Sequence, residues 1–468
     1  MDPLIAGLQG IVGDRHCLTD SAATAPFLKD WRDIYHGKAR AVVLPETAAQ
    51  VQDIIRLARQ HRAAIVPQGG NTGLSGGATP DATGKAVVVA LKRMNKIRAL
   101  DPANNSLVAE AGCILADLQQ AASDADRLFP LSLAAEGTCQ IGGNLATNAG
   151  GINVLRFGNA RDLCLGLEAV LSDGSLFSHL SALRKDNSGY DLKQLLIGSE
   201  GTLGVITAAA LKLFPKPVAR VTAIVTLGGI GKAVSLLARC RAGLADQLVS
   251  FELLPRFGIE LAEAHVPGLA WPLAARPAWS VLIEASTSSP AFDLRLALET
   301  TLAAALEADE IGDAVVASSE TQSRALWRLR EGIVEGQWRA GANIKHDVSV
   351  PVAKVPDFLI AGEAALKAAD PQTRLLAFGH LGDGNIHFNL VQPRDEATEG
   401  FLARTDAINR VVHDVVQEFG GSISAEHGIG QLRRAELEQR KSPVELDLMR
   451  RIKRMLDPDN LMNPGKLL

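Results

Sequence analysis

Short apolar runs and amphipathic stretches alternate along the first third of the chain. Consecutive hydrophobic residues over four to eight positions predict buried strands, and apolar positions spaced three and four apart predict helices. By this pattern we predict strands at 39–47, 63–70, 85–94 and 106–112. Helices are predicted between and after them, at 49–62 and 114–125.

Two prolines, Pro215 and Pro217, interrupt this pattern and indicate a domain boundary. Beyond them the pattern restarts, with strands predicted at 221–229, 248–254, 279–286 and 314–319 and helices between them, such as 293–309. This order is typical of an α+β unit built on one sheet. The last third predicts a strand at 345–351, one long helix at 398–419 and a basic helix at 444–456.

Composition excludes several classes of protein. The chain has 468 residues, which exceeds a single hydrophobic core, and its 47% hydrophobic and 21% charged residues are ordinary for a soluble enzyme. A net charge of −4 with scattered Lys and Arg argues against nucleic acid. No apolar run approaches the roughly 18 residues that span a membrane, and the N-terminus lacks the pattern of a signal peptide. The five cysteines form no CxxC and are odd in number, so we expect reduced thiols in a cytoplasmic protein.

The segment FGHLGDGNIHFNL predicts a β-hairpin that carries two histidines. With Asp383 and Gly384 at the turn, His380 would lie directly opposite His387, with Cβ atoms roughly 4.5–5.5 Å apart. Asn389 would share their face of the sheet. Two adjacent imidazoles are a start on a metal site. Two histidines in a polar surface hairpin are the alternative until a third ligand is found.

Three glycine-rich segments indicate a ligand with phosphate groups. They are PQGGNTGLSGG (67–77), GTCQIGGNLATNAGG (137–151) and GSEGTLGVIT (198–207). Glycine lets backbone N–H groups approach an anion without interference from Cβ atoms. Each loop alone would be read as a flexible connection, but three in one domain favour binding. The chain contains neither a GxGxxG fingerprint nor a Walker A motif, so a different architecture is expected.

The sequence resembles the FAD-dependent 2-hydroxy-acid dehydrogenases of the vanillyl-alcohol-oxidase-type flavoprotein fold. The motifs that carry the resemblance are PQGGNTGLSGG, IGGNLATNAGGINVLRFG, RKDNSGYDLKQLLIGSEGTLGVIT, GHLGDGNIHFN, AEHGIG and LMNPGK, and they cover nearly the whole chain. The resemblance implies an α+β protein in three parts. These are a two-subdomain FAD-binding domain (1–217), an α+β antiparallel-sheet substrate domain with the histidine hairpin (218–420), and a mostly helical C-terminal segment that returns to the flavin (421–468).

The resemblance also implies which residues hold FAD. They lie in the three glycine-rich segments and in the C-terminal motif: Pro67, Gly69, Gly70, Asn71, Thr72, Gly73, Ser75, Gly137, Thr138, Gly142, Gly143, Asn144, Thr147, Asn148, Gly150, Gly151, Glu200, Ile206 and Asn463. Some relatives attach FAD covalently through His or Cys. These segments contain no histidine and only one thiol, Cys139, so non-covalent FAD is expected.

The third metal ligand comes from the resemblance, which implies Glu426 beside His380 and His387. Two imidazoles and a carboxylate with an open position suit Zn²⁺ or a similar divalent ion. The ion would polarise the substrate hydroxyl, His427 would remove its proton as general base, and the hydride would pass to the flavin N5. Without the joint pattern, Glu426 and His427 would be read as an ordinary turn.

The implied reaction is oxidation of a D-2-hydroxy acid to the 2-oxo acid, with D-2-hydroxyglutarate as the expected substrate. Arg330, Lys345 and Asn389 are the expected substrate-binding residues, although Arg330 lies in an arginine-rich helix whose charges could simply be solvated. Val334 stands where the matching pattern has a hydroxyl residue, which leaves the shorter diacid D-malate open. His346 and His413 are assigned no role.

Three other functions stay open at this point. A D-lactate or glycolate dehydrogenase would belong to the same class. A zinc hydrolase would use His380, His387 and Glu426 to activate water, and a non-catalytic flavin-binding protein is the third alternative. The resemblance implies an electron-transfer flavoprotein or a quinone as electron acceptor, and a homodimer.

Overall fold

The computed structural model describes residues 2–468 of the chain. Its strands are β1 (Cys17–Leu18), β2 (Ala39–Val43), β3 (Ile65–Gln68), β4 (Ala86–Ala90), β5 (Ile97–Asp101), β6 (Ser106–Glu110), β7 (Arg127–Leu128), β8 (Cys164–Val170), β9 (Leu176–His179), β10 (Val205–Lys212), β11 (Phe214–Pro215), β12 (Ala219–Leu227), β13 (Leu248–Pro255), β14 (Trp279–Thr287), β15 (Ile311–Val316), β16 (Asn343–Ile344), β17 (Asp347–Ser349), β18 (Arg374–His380) and β19 (Asn385–Val391).

The α-helices are α1 (Pro3–Val12), α2 (Ser21–Thr24), α3 (Ala48–Gln60), α4 (Leu115–Asp124), α5 (Ile141–Ala146), α6 (Val154–Phe157), α7 (Lys193–Leu196), α8 (Lys232–Leu244), α9 (Arg256–His265), α10 (Leu294–Glu307), α11 (Glu320–Arg339), α12 (Val355–Ala369), α13 (Thr398–Ala403), α14 (Thr405–Glu418), α15 (Arg434–Arg440) and α16 (Pro443–Leu456). Among residues 2–468, no helix combines the length and hydropathy needed to cross a bilayer.

The chain divides into two compact units. The first comprises 1–151, 158–216 and 426–468, and the second comprises 152–157 and 217–425. The boundaries predicted from the sequence after residues 217 and 420 stay predictions.

The first unit contains two main sheets. One has four strands in the order β1-β2-β4-β3, with β2, β4 and β3 parallel. Strand β4 reads AVVVA and is buried at every position, as expected for a parallel strand covered on both faces. The other sheet has five antiparallel strands in the order β5-β6-β10-β8-β9. Sheets and helices in this unit agree with the predicted α+β class.

The second unit is built on one antiparallel sheet in the order β15-β12-β14-β13-β18-β19-β16, and β17 also pairs with β19. Side chains alternate between the two faces, so each face has its own core. On one face Phe251 and Phe388 pack with residues of α8, α10, α12 and α14. On the other face Leu254 and Phe378 pack with residues of α9 and α11. The second face carries the chemistry described below.

Local sequence signals account for several helix boundaries. Thr47 accepts from the backbone of Gln50 and starts α3, whose apolar positions face inward. Ser442 and Glu445 form a capping box at the start of α16.

The single helix predicted at 398–419 is wrong, because the chain forms α13 and α14 with a break at Arg404. The Arg404 guanidinium contacts the carboxylates of Glu396 at 2.6 Å and Asp370 at 2.9 Å. These long-range ion pairs favour the break, and local periodicity does not reveal them.

Candidate active site

The first unit contains a cleft lined by all three glycine-rich segments. The residues that were predicted to bind the cofactor and that line this cleft are Pro67, Gly69, Gly70, Asn71, Thr72, Gly73, Ser75, Gly142, Gly143, Asn144, Thr147, Glu200 and Ile206. His427, the predicted base, lines the same cleft. Residues from four distant parts of the sequence therefore meet at one site.

Six predicted cofactor residues lie outside the cleft lining that the structure describes: Gly137, Thr138, Asn148, Gly150, Gly151 and Asn463. One of them supports the wall instead. The Asn463 side-chain amide donates to the carbonyl oxygens of Gly77 (2.9 Å) and Glu200 (2.7 Å), which both belong to the lining. Gly151 has a φ of +131°, and a Cβ there would lie 1.9 Å from the Ser132 carbonyl oxygen, so only glycine fits at this position.

Sequence reasoning missed further lining residues: Gln68, Gly77, Ala78, Leu91, Cys139, Gln140, Ala146, Gly201 and Gly204. All but Ala78, which directly follows the first segment, and Leu91 lie within the three quoted segments. Leu91 directly follows β4, so its position could be found only once the parallel pairing of β3 with β4 was known.

The cleft wall fits a dinucleotide cofactor in two respects. A Cβ added at Gly73 or Gly143 would meet no atom within 4 Å, so backbone is open to a ligand at both positions. The side-chain oxygens of Gln140 and Asn144 are buried and have no hydrogen-bond partner among the described residues. Buried polar atoms are normally paired, so these oxygens are suited to accept from a bound ligand.

Cys139 is the thiol on the cleft wall. It is buried, and burial raises the pKa of its thiol above the usual value. Because the thiolate is the nucleophile, a raised pKa makes covalent attachment unfavourable.

The segment that carries His427 is held by two residues of the cleft. The Ser75 hydroxyl donates to the carbonyl oxygens of His427 (3.2 Å) and Gly428 (3.1 Å). The Glu200 carboxylate accepts from the amides of Ile429 (2.8 Å) and Gly430 (2.7 Å). Burial raises the pKa of Glu200, and the two amide hydrogen bonds lower it in part. Ser75 and Glu200 thus hold residues 427–430, which we call the base segment because it carries the predicted base His427.

The histidine hairpin forms, but the predicted register is wrong. His387 on β19 lies opposite Phe378 on β18, two residues before His380. The connection is the four-residue loop 381–384 instead of a two-residue Asp-Gly turn. Strand β18 separates from β19 after Phe378 and pairs with β13, where His380 lies opposite Glu252.

The two imidazoles are still neighbours in the second unit, since their ring centroids are 5.5 Å apart in an edge-to-face arrangement. On its other side His387 lies opposite Asp347 of β17. The distance from His387 Nδ1 to an Asp347 carboxylate oxygen is 3.8 Å, too long for a hydrogen bond. Both histidines therefore have a carboxylate close by.

Glu252 is the most deeply buried acid of this region, with 1% of its surface exposed. One carboxylate oxygen accepts from Arg330 Nε at 2.8 Å, and the other lies 2.7 Å from His380 Nδ1. Burial raises the pKa of Glu252, but His380 and Arg330 outweigh it and lower the pKa to about 2. The residue is therefore ionised, and sequence reasoning did not find it.

Arg330 was predicted as a substrate clamp, and the structure gives it another partner. It is buried on α11, it pairs with Glu252, and its guanidinium lies over the Phe378 ring at 4.9 Å. The contact with Glu252 uses only one of the five N–H groups of the guanidinium. Its role toward substrate stays a prediction.

The other predicted substrate residues lie in the same unit. The Asn389 side chain accepts from the His346 amide (3.0 Å) and donates to Gln337 (3.1 Å). Lys345 is half-buried between β16 and β17. Val334 lies one turn after Arg330 on α11 and is 47% exposed.

Glu426 begins the C-terminal part of the first unit. It follows Ala425, whose amide donates to the Asp347 carbonyl oxygen at 3.1 Å. Asp347 is paired with His387, so the residue before Glu426 is hydrogen-bonded to the strand beside the hairpin.

Comparison with known families agrees with these features. Residues 39–179 match the FAD binding domain, and residues 216–467 match the C-terminal domain of FAD linked oxidases. The chain belongs to the FAD-linked oxidase family. The second match alone covers more than half of the chain, so the resemblance found in the sequence is confirmed, as is FAD as cofactor.

Curated relatives narrow the family further. The chain is 38% identical over its full length to D-2-hydroxyglutarate dehydrogenase of Xanthomonas citri, covering 97% of that protein. It is 37% identical to the mitochondrial D-2-hydroxyglutarate dehydrogenase of Bos taurus, over 99% of this chain and 83% of the relative. A probable mitochondrial D-2-hydroxyglutarate dehydrogenase of Oryza sativa is also 37% identical, over 99% of this chain and 81% of the relative.

Solved structures support the fold. A p-cresol methylhydroxylase with substrate bound superposes with a TM-score of 0.78, covering 99% of this chain and 96% of that chain at 16% identity. A 4-ethylphenol oxidase from Gulosibacter chungangensis gives a TM-score of 0.75 over 99% and 96%, at 18% identity. At such low identity the likeness establishes the fold alone.

Proposed function

We propose that this flavoprotein oxidises D-2-hydroxyglutarate to 2-oxoglutarate and requires a divalent metal ion. This choice of substrate is supported by 35–38% identity, over nearly the whole chain, to proteins named D-2-hydroxyglutarate dehydrogenase from plants, animals and bacteria. The aligned regions include both the glycine-rich cleft and the histidine hairpin.

FAD, when bound, accepts the hydride that leaves C2 of the hydroxy acid. The open backbone at Gly73 and Gly143 and the buried oxygens of Gln140 and Asn144 would hold it. We propose non-covalent binding, since burial keeps the Cys139 thiol protonated.

For the metal we propose His380, His387 and Glu426 as ligands. Two imidazoles and one carboxylate with an open position are typical of catalytic zinc, and the ion, when bound, lowers the pKa of the substrate hydroxyl. The adjacent rings of His380 and His387 support this set, as does the hydrogen bond that holds Ala425, the neighbour of Glu426, to Asp347.

His427 is the proposed general base, which takes the hydroxyl proton as the C–H bond breaks. Its position in the cleft lining and the hydrogen bonds that Ser75 and Glu200 make to its segment support this role.

Lys345, Arg330 and Asn389 are the proposed substrate-binding residues, with a cation facing the distal carboxylate of a diacid. D-malate is the second candidate substrate, because Val334 offers no hydroxyl one turn after Arg330. The D-lactate, glycolate and hydrolase hypotheses gain no support of their own from the site. In addition, hydrolysis does not use a flavin, so the hydrolase hypothesis leaves the FAD-binding domain unexplained.

The proposal includes an electron-transfer flavoprotein or a quinone as acceptor, because the sequence carries no nicotinamide-binding fingerprint. It also includes a homodimer and a cytoplasmic protein with reduced thiols. All five cysteines are buried and unpaired with one another, which suits a reducing compartment.

The experiment that tests the substrate is a comparison of kcat/KM for D-2-hydroxyglutarate, D-malate, D-lactate and glycolate, with an artificial dye as acceptor. L-2-hydroxyglutarate is the matched control. The proposal expects the highest value for D-2-hydroxyglutarate and little turnover of its L enantiomer. A clear preference for lactate or glycolate would overturn it.

A further inference from the structure

One buried carboxylate joins two groups that the proposed function uses separately. Glu252 contacts His380, a proposed metal ligand, with one oxygen and Arg330, a proposed substrate cation, with the other. The three residues come from β13, β18 and α11. Glu252 and His380 are 128 residues apart in the sequence.

Sheet pairing explains why the contacts form. Glu252 and His380 lie directly opposite each other across the antiparallel pair β13–β18, so their side chains emerge side by side on one face. Helix α11 packs on that face through Leu329 and Ile333, and Arg330 lies between these two residues in sequence. The geometry is therefore set by the backbone and does not depend on flexible side chains.

The contact orients the His380 ring. Its Nδ1 atom faces the Glu252 carboxylate at 2.7 Å, so the edge of the ring that carries Nε2 points away from the acid. A metal-ligating histidine commonly donates its other ring N–H to a carboxylate in this way, which fixes the tautomer of the ring. A carboxylate behind a ligating histidine also fixes the ring orientation and raises its basicity.

We propose that Glu252 is a positioning residue for both the metal and the substrate, because it fixes His380 in the metal-binding tautomer and anchors Arg330 beside it. The inference rests on the proposed function, since it takes His380 as a metal ligand. It assigns the residue no contact with the substrate.

The test measures Zn²⁺ affinity without turnover. Apo protein with FAD retained is titrated with Zn²⁺ against a chromophoric chelator, in wild type and in Glu252→Gln. Loss of such a supporting carboxylate typically weakens metal binding by about 10–100-fold, and this loss is the expected result. Flavin content should stay at the wild-type level, because Glu252 belongs to the second unit and the cleft to the first.

Glu284→Gln is the matched control. Glu284 is a buried acid, 2% exposed, on the neighbouring strand β14, where it accepts from Thr222 and Trp327. Its substitution should lower thermal stability as Glu252→Gln does, yet leave Zn²⁺ affinity within about 3-fold of wild type.

Glu252→Asp is a second variant in case the glutamine variant does not fold. It keeps a negative charge in the buried site of Arg330 but shortens the side chain by one methylene, which withdraws the carboxylate from both His380 and Arg330. Weaker Zn²⁺ binding in this variant is expected, with a smaller loss of stability than in Glu252→Gln.

Two results would overturn the inference, and they have different consequences for the proposed function. If wild type binds Zn²⁺ tightly and both Glu252 variants bind it as Glu284→Gln does, Glu252 is only a counter-ion for Arg330, and the proposed function stands. If wild type binds no Zn²⁺, the metal part of the proposed function fails and the inference fails with it.

Discussion

Substitution of Glu200 tests how the base segment is held in the first unit. The Glu200 carboxylate accepts two backbone amides of the segment that follows His427, at 2.8 and 2.7 Å, and is 9% exposed. In Glu200→Gln the remaining carbonyl oxygen can accept one of these amides. The new NH₂ group faces the other amide, so that hydrogen bond is lost.

The magnitude follows from these contacts. A hydrogen bond to a charged group contributes about 1.5–3 kcal/mol, and a stranded buried N–H costs about 1–3 kcal/mol more. The substitution also removes a charge from a buried position. That charge is unfavourable, as the raised pKa of Glu200 shows, so its removal offsets part of the loss. We therefore expect a net loss of about 2–4 kcal/mol in the free energy of unfolding of the first unit.

Urea denaturation followed by circular dichroism measures the stability loss, and stopped-flow flavin reduction measures its effect on catalysis. Because His427 lies beside the loosened segment, the reduction rate should fall at least 10-fold. The control is Glu168→Gln, which alters a buried acid bonded to Arg98 and Thr207 in the same unit. It should lose stability but reduce flavin at the wild-type rate.

The reasoning is refuted if Glu200→Gln unfolds within about 0.5 kcal/mol of wild type. It is equally refuted if the variant and the Glu168→Gln control lose the same small fraction of their reduction rate. Either result would mean that the two amide contacts do not position the base.

Four further predictions concern the site. His387→Ala should lose the metal and turnover while FAD stays bound; metal analysis and the flavin spectrum check this, and full activity in metal-free protein would contradict it. His427→Ala should keep both metal and flavin but lose roughly 10²–10⁴-fold in kcat, and an unchanged pH profile would assign the base elsewhere. Lys345→Ala should lose roughly 2–5 kcal/mol of transition-state binding for D-2-hydroxyglutarate and far less for D-lactate, and equal losses would remove the diacid assignment. Val334→Thr should raise kcat/KM for D-2-hydroxyglutarate relative to D-malate and leave stability unchanged, since Val334 is about half exposed. Arg330→Ala is not a useful test of substrate binding, because it also leaves the buried Glu252 without its cation.

Local patterns predicted the elements that are fixed by local physics. The apolar spacing of α3 and the continuous apolar run of β4 located both elements within a few residues. The glycine-rich segments indicated a cofactor site because glycine, which has no Cβ atom, lets backbone N–H groups approach a ligand. Most residues of the cleft lining belong to these quoted segments.

Features that depend on partners distant in sequence were not predictable in this way. The Asp-Gly pair suggested a two-residue turn, but the amides of Asp383 and Gly384 both donate to the His380 carbonyl oxygen and close a four-residue loop, which goes with a register shifted by two. Glu252 sits in an apolar strand, LVSFELLP, where nothing marks it as the partner of His380. The burial of Arg330 likewise depends on α11 packing against the sheet, and an arginine-rich sequence does not reveal it.

Anaerobic mixing of the purified flavoprotein with D-2-hydroxyglutarate tests the central claim most directly. The account predicts that the visible flavin absorbance bleaches in a single turnover and that L-2-hydroxyglutarate leaves it unchanged. Prior removal of the metal with a chelator should prevent bleaching, and added Zn²⁺ should restore it. A flavin that stays oxidised in the metal-loaded protein, or that bleaches equally well after chelation, would contradict the account.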